Sequence, residues 1–126
     1  MWTYSQSTGK LFHNGSFVSG GYSGKGRGKN NPSLQGVVGT GPLPRGHWRI
    51  TEVYNSKRVG PFALVLHAND TTPSNDTHDE TGRGAFRIHG DSVKHPGNAS
   101  NGCIILPRVI REEIWRSGDR DLIVTE

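Results

Sequence analysis

Along most of this chain, apolar and polar positions alternate in short runs, and glycine, proline or asparagine closes each run. Trp2-Thr3-Tyr4-Ser5 and Leu11-Phe12-His13 flank a turn at Thr8-Gly9-Lys10, and Asn14-Gly15 separates the second run from Ser16-Phe17-Val18. Asn-Gly between two such runs is a strong hairpin signal, because both residues tolerate positive φ. Residues 19–41 are rich in Gly and Ser, hold Asn30-Asn31-Pro32, and are expected to be loop rather than strand. The rigid turn Gly41-Pro42-Leu43-Pro44-Arg45-Gly46 launches a strand over residues 47–54, with Trp48, Ile50 and Val53 as candidates for its buried side.

Residues 62–67 form an apolar run of strand length, expected to be a core strand ending at His67. Residues 69–84 are polar and predict a surface loop, with His78 solvated within it. Alternation returns at residues 85–89, and Cys103-Ile104-Ile105-Leu106 is a short apolar segment. Pro107 suits the first position of a helix in which Val109, Ile110, Ile114 and Trp115 recur at helical spacing. Ser117-Gly118-Asp119 ends that helix, and residues 121–125 read as a last strand.

Composition narrows the picture. The chain has 126 residues, 18 of them glycine and 7 proline, with 31% hydrophobic residues and a mean hydropathy of -0.62. So much turn chemistry favours many short strands around a small core. Without repeats or linkers, the expectation is one mostly β domain over residues 1–126, carrying one short helix. No apolar run approaches the roughly 18 residues a membrane-spanning helix needs, and the N-terminal residues carry no Sec-type export signal. A single cysteine, Cys103, excludes an internal disulfide. The net charge of +4 suits polyanions, among them nucleic acids and acidic cell-wall polymers.

The chemistry concentrates between residues 86 and 106. His89-Gly90 ends one strand and Ser100-Asn101-Gly102-Cys103-Ile104 begins the next apolar segment, so one loop can set them side by side. A thiol needs a base to become a nucleophile, and histidine is the usual one. The imidazole in turn needs an acceptor on its other nitrogen to fix the tautomer. Gly90 and Gly102 allow close backbone approach, and amides near Gly102 and Cys103 can hold a developing oxyanion. The plainer alternative makes Cys103 a core thiol beside Ile104 and Ile105, and His89 a satisfied strand-end histidine.

Ile88-His89-Gly90 followed by Ser100-Asn101-Gly102-Cys103-Ile104 resembles the signature of the YkuD-type L,D-transpeptidases. The 41–50 segment looks like that family's Pro-x-Gly-x-aromatic-x-Ile strand entry, and residues 117–124 like its final helix exit and strand. The opening Trp-Thr-Tyr hairpin, Gly21-Tyr22-Ser23-Gly24 and the signal-free N-terminus resemble the compact L,D-transpeptidase-like effectors of type VI secretion.

This resemblance implies an L,D-transpeptidase-like β-sandwich with the short helix after the catalytic cysteine. It makes Cys103 the nucleophile and His89 its base, with the Gly90 carbonyl orienting the imidazole. Ser100 would shape the turn, and the Gly102 and Cys103 amides would form the oxyanion hole. Position 101 is Asn where many members carry His, and position 105 is Ile where many carry an Arg that meets a substrate carboxylate. Arg87, Arg108 and Arg111 are candidates for that role. Asp91, two residues after His89, either supports the site or is a turn residue; Asn101 is a second supporting candidate.

The implied substrate is the peptidoglycan tetrapeptide stem, processed as an L,D-carboxypeptidase, an L,D-transpeptidase, or both. In the effector setting the chain is made in the cytoplasm, secreted by a contact-dependent system and active in the target-cell periplasm, with an immunity protein as partner. It is expected to be monomeric. No cofactor is expected, and no metal, since the even spacing of His67, His78 and His89 matches no ligand pattern. Gly24-Lys25-Gly26-Arg27-Gly28 lacks the Gly-Lys-Ser/Thr of a phosphate loop, and nucleic acid is not expected as a partner. Two other readings stay open: a catalytically silent cell-wall or polyanion-binding module on the same fold, and a housekeeping L,D-transpeptidase. An active site predicts a low-pKa thiol that depends on His89; a silent module predicts an inert one.

Overall fold

The computed structural model describes residues 1–70 and 77–126. Among the described residues there are nine strands: β1 (Trp2–Ser5), β2 (Lys10–His13), β3 (Ser16–Gly20), β4 (Tyr22–Ser23), β5 (Gly46–Ser56), β6 (Gly60–Ala68), β7 (Arg87–His89), β8 (Ile104–Ile105) and β9 (Asp121–Thr125). The α-helix α1 (Arg108–Arg116) lies between β8 and β9. The strands form a single sheet in the order β3-β2-β1-β9-β5-β6-β7-β8-β4. The mostly β expectation with one short helix after Cys103 is met. No helix among the described residues is long and apolar enough to cross a membrane.

The first hairpins form as the sequence directs. Asn14 and Gly15 take φ of 49° and 87°, the paired positive values of a two-residue hairpin turn. Pro107 caps α1 rather than standing inside it, one position earlier than expected. In β5, Trp48 and Ile50 are buried. A bulge between Ile50 and Glu52 then reverses the side-chain parity, which brings Val53 against the same core.

The expectation of loop over residues 19–41 is corrected. β3 runs to Gly20, Tyr22–Ser23 is β4, and Gly26–Gly28 and Pro32–Leu34 are single 3₁₀ turns. β3 is one edge of the sheet and β4 the other, yet Gly21 alone separates them in sequence. Consecutive Cα atoms are about 3.8 Å apart, so the sheet must curl until its two edges meet. The two layers of the expected sandwich are therefore halves of one curled sheet, and residues from β1, β2, β5, β7 and β8 share a single core.

Glycine makes the seam possible. The Gly21 amide donates to the Gly9 carbonyl at 2.8 Å. A Cβ on Gly21 would sit 2.2 Å from the Ile105 carbonyl oxygen, and one on Gly9 2.1 Å from that of Gly21.

The 69–84 segment is also less exposed than its composition suggests, although residues 71–76 lie outside the described residues. His78 and Arg83 are buried, and Thr77 bridges Gly84. The His78 ring stacks 5.5 Å from Trp48, and its Nδ1 pairs with Thr81 Oγ1 at 2.9 Å. His78 is thus a core histidine, not a solvated one. β6 continues one residue past His67, to Ala68.

The seam gives a sharp test. Gly21→Ala forces a methyl group into the Ile105 carbonyl and is expected to destabilise the protein by about 3 kcal/mol or more. Gly20→Ala, one residue away with open space around it, should change stability by less than about 1 kcal/mol. Urea denaturation of both variants checks this; equal losses would sink the closure argument.

Candidate active site

β7 and β8 are parallel neighbours, with Ile88 opposite Ile104 and His89 opposite Ile105. A parallel pair needs a long connection, and the loop between His89 and Cys103 supplies it. Ile88 and Ile104 point into the core, so the alternate positions, Arg87 and His89 with Ile105, take the other face of the sheet. Cys103, immediately before β8, lies beside Arg87, whose amide donates to its Sγ at 3.3 Å. One diagonal step of the sheet therefore separates the thiol strand from the histidine position.

The loop is tied at both ends. Near His89, Asp91 accepts from Tyr22 Oη at 2.5 Å, from the Ser92 amide at 2.8 Å and from the Gly97 amide at 3.1 Å. Tyr22 Oη in turn accepts from the Ala99 amide at 3.0 Å, and the Lys29 ammonium lies 4.6 Å from the Tyr22 ring centre. Burial works against the Asp91 carboxylate. The Tyr22, Gly97 and Ser92 hydrogen bonds, with the Lys29 charge, outweigh it and hold the carboxyl below the usual range. Burial first and Asp91 second push Tyr22 up to about 12. Asp91 thus serves as the anchor of the loop, and Tyr22 of β4 is its partner.

Near Cys103 the anchor is Ser100, which is fully buried. Its Oγ donates to the Cys103 carbonyl at 2.5 Å and accepts from the amides of Gly24 at 2.8 Å and Gly102 at 3.1 Å. Ser23 of β4 donates to the Gly102 carbonyl at 2.9 Å. The expectation for Gly102 is corrected in one respect: its amide is spent on Ser100 and turns into the loop, which leaves the Cys103 amide of the expected pair. Gly102 itself has φ of +137°, and a Cβ there would come 2.4 Å from Arg83 Nη2.

His89 is buried, and its Nδ1 donates to the Gly90 carbonyl at 2.8 Å. A carbonyl only accepts, so Nδ1 carries the proton and Nε2 keeps its lone pair. Burial lowers the imidazole pKa below the ordinary histidine value; the Gly90 carbonyl opposes this, Arg111 and Arg58 add to it, and Asp91 opposes it. Burial likewise pushes the half-buried Cys103 thiol up, against the Arg87 amide and the charges of Arg87, Arg58 and Arg83. These surroundings do not favour the low-pKa thiol expected of an active site: burial pushes both the thiol and the imidazole toward their neutral forms.

The arginines sort by what they hold. Arg111 donates to the carbonyls of Leu106, Pro61 and Phe62, and Arg108 pairs with Glu112 on the exposed side of α1. Arg87 donates from Nε to Tyr54 Oη at 3.2 Å and from Nη1 to the Phe86 carbonyl at 2.7 Å. Two arginines missed in the sequence matter more. Arg83 is buried and donates to the carbonyls of Gln35, Pro42, Gly41 and Asn101, which fixes the Asn101 backbone beside the cysteine. Arg58, on the β5–β6 turn, carries no pattern that marks it.

Cys103 opens on a hollow of about 350 Å³ with Asn101, Arg58, Arg83 and Phe86 in its walls. His89 opens on one of about 470 Å³ with Arg58, Gly60 and His95. A third, of about 370 Å³, lies beyond Gly90 and Asp91 and is bounded by Tyr22, Ile105 and Arg108. Among the described residues no group of three or more His, Cys, Asp or Glu side chains could hold a metal ion.

Comparison with known proteins supports this reading of the fold. The sequence model of the Tlde1 domain matches residues 18–122. No curated protein sequence matches the chain. Among solved structures, the helical cell shape determining protein Pgp2 from Campylobacter jejuni is similar at 16% identity and a TM-score of 0.56, covering 98% of this chain and 46% of that one. The Ldtfm-avibactam carbamoyl enzyme is similar at 13% identity and a TM-score of 0.50, covering 99% of this chain and 48% of that one. This chain thus spans about half the length of both. At such identities the likeness shows the fold alone, which is that of an L,D-transpeptidase.

The loop anchor is open to test. Tyr22→Phe removes one donor to Asp91 and the acceptor for the Ala99 amide, and is expected to cost about 1–3 kcal/mol and to expose the 91–99 loop to protease. Because the Asp91 carboxyl is held below its ordinary pKa, its contribution is complete above the usual carboxylate range and fades as the pH falls below it. Limited proteolysis against pH, with and without the substitution, measures both effects.

Proposed function

This chain belongs to the Tlde1 domain family, and from that premise we propose that it is a peptidoglycan-acting effector enzyme using Cys103 as nucleophile and His89 as base. The observation that carries the proposal is the His89 Nδ1–Gly90 carbonyl hydrogen bond of 2.8 Å. It leaves Nε2 as the acceptor on the sheet face that also bears the cysteine.

The reaction follows from the neutral pair. As Sγ attacks the peptide carbonyl carbon between the L-centre of diaminopimelate and the terminal D-alanine, its proton passes to His89 Nε2. The carbonyl oxygen becomes an oxyanion facing the Cys103 amide. Collapse breaks the C–N bond, His89 returns the proton to the leaving amine, and D-alanine departs. The thioester is then resolved by water, giving an L,D-carboxypeptidase, or by an amine, giving D-amino acid exchange or a cross-link. The Arg87 amide on Sγ, with the Arg58 and Arg83 charges, steadies the sulfur as negative charge develops.

Residues 1–126 act as one catalytic domain in this reading. The setting is delivery by type VI secretion into a neighbour's periplasm, countered in the producer by an immunity protein. A silent binding module on the same fold is the competing outcome, and the raised thiol pKa is what favours it.

One experiment separates them. The protein, Cys103→Ala and His89→Ala are each incubated with tetrapeptide muropeptides and a D-amino acid, and products are followed by mass spectrometry. The expected result is loss or exchange of D-alanine with the parent protein, none with Cys103→Ala, and a 10²–10⁴-fold slower reaction with His89→Ala. No turnover by any of the three would discard the enzyme in favour of the binding module. The acylation rate should also rise with pH through a value below about 6.5, as the imidazole loses its proton, because burial and the Arg111 and Arg58 charges outweigh Gly90 and Asp91 at His89. A rate that climbed only above pH 9.0, the ordinary thiol value that burial raises here, would assign the step to a free thiolate instead.

A further inference from the structure

We infer that Arg58 is the residue that recognises the terminal carboxylate of the leaving amino acid, which makes the enzyme selective for the free end of a stem peptide. The inference rests on the reaction proposed above and adds a specificity determinant to it.

Arg58 is the side chain shared by the hollow in front of Cys103 and the hollow in front of His89. It stands on a turn of fixed shape, where the Arg58 and Val59 amides both donate to Ser56 Oγ at 3.1 Å. Among the described residues its guanidinium has no ion-pair partner, in contrast to its neighbours. Arg83 and Arg111 are filled by carbonyl oxygens, and Arg87 is engaged by Tyr54 and the Phe86 carbonyl. The carboxylate nearest the histidine, Asp91, is taken up by Tyr22 and two amides.

The direction of the substrate follows from proton transfer. The group that protonates the leaving amine must lie on the leaving group's side of the scissile bond, so the departing amino acid occupies the His89 hollow. Its carboxylate is one carbon removed from that amine. Arg58 lines both hollows, so its planar fork can take that carboxylate in a bidentate pair while the acyl half extends over Cys103. A substrate whose chain continues past this point, or whose end is capped as an amide, presents no charge to the fork.

The test compares a tetrapeptide stem ending in D-alanine with the same stem ending in D-alaninamide, for the parent protein, Arg58→Gln and Arg58→Lys. The parent is expected to prefer the free acid by roughly 10- to 100-fold in kcat/KM, the range of one charge-assisted hydrogen-bonded pair. Arg58→Gln should slow both substrates through the charge lost beside the sulfur but slow the acid form further, bringing the two within about threefold, and Arg58→Lys should restore part of the preference. Equal loss on both substrates would make Arg58 a structural or general electrostatic residue and overturn the inference while leaving the reaction intact. A parent protein that turns over the amide as readily as the acid would overturn it too. No turnover of either substrate by the parent would remove the reaction, and the inference with it.

Discussion

The structure hangs on a backbone contact that no side chain could share. Gly21 carries the chain from one edge of the sheet to the other in a single step, with the Ile105 carbonyl where its Cβ would be. That approach places β4 against β8, and β4 then supplies most of what holds the cysteine turn. Ser23 holds the Gly102 carbonyl, the Gly24 amide meets Ser100, and Tyr22 meets Asp91. A wider seam would leave β8 as a free edge and the loop between His89 and Cys103 without its outer wall. The glycines at the seam lower the stability of their own segment, while the approach they allow gives β8 a second neighbour in β4.

What could be read in advance divides along physical lines. Elements whose formation is local were legible: the Asn14-Gly15 hairpin, the β5 alternation at Trp48 and Ile50, and a helix set by Pro107 and the Ile110–Ile114 spacing. Cys103 and His89, the proposed nucleophile and base, stand out in the sequence as residue types, because so few side chains can perform that chemistry and both lie at the ends of one glycine-bounded loop. β4 was not, since a closing edge made of Gly, Tyr and Ser has no apolar alternation to display. Val53 fell on the inner side only through a bulge that composition does not announce. His78 and Arg83 sit in a stretch whose polarity argues for water, and tertiary partners, Trp48 for one and four carbonyls for the other, draw them inward.

Arg83 also explains a tension in the electrostatics of the site. A buried guanidinium without a carboxylate is costly, and burial accordingly lowers its pKa, while negative charge on the Cys103 sulfur, when it forms, opposes that shift. Its donors are filled by neutral carbonyls, so its charge is satisfied as a hydrogen-bond donor yet not cancelled. A carboxylate in the same place would have neutralised it and erased the positive field at the sulfur. The carbonyl cage therefore keeps a fixed positive charge next to a thiol whose pKa burial pushes up. Such a field contributes little to the resting neutral pair and acts most strongly when the sulfur and the carbonyl oxygen become negative, which is when stabilisation accelerates a reaction.

The same logic places limits on the nucleophile. Were Cys103 a stable thiolate, the resting state would already draw on the charges of Arg58, Arg83 and Arg87, and attack would have to spend that stabilisation. In the proposed reaction, burial favours the proton on sulfur until a carbonyl receives the electron pair, and the tautomer fixed by Gly90 leaves His89 Nε2 free to take the proton in the same step. Burial of both groups is thus compatible with the proposed reaction, because it favours in each the neutral form that the proposed first step consumes. The arginines around them matter for the charges that the step creates.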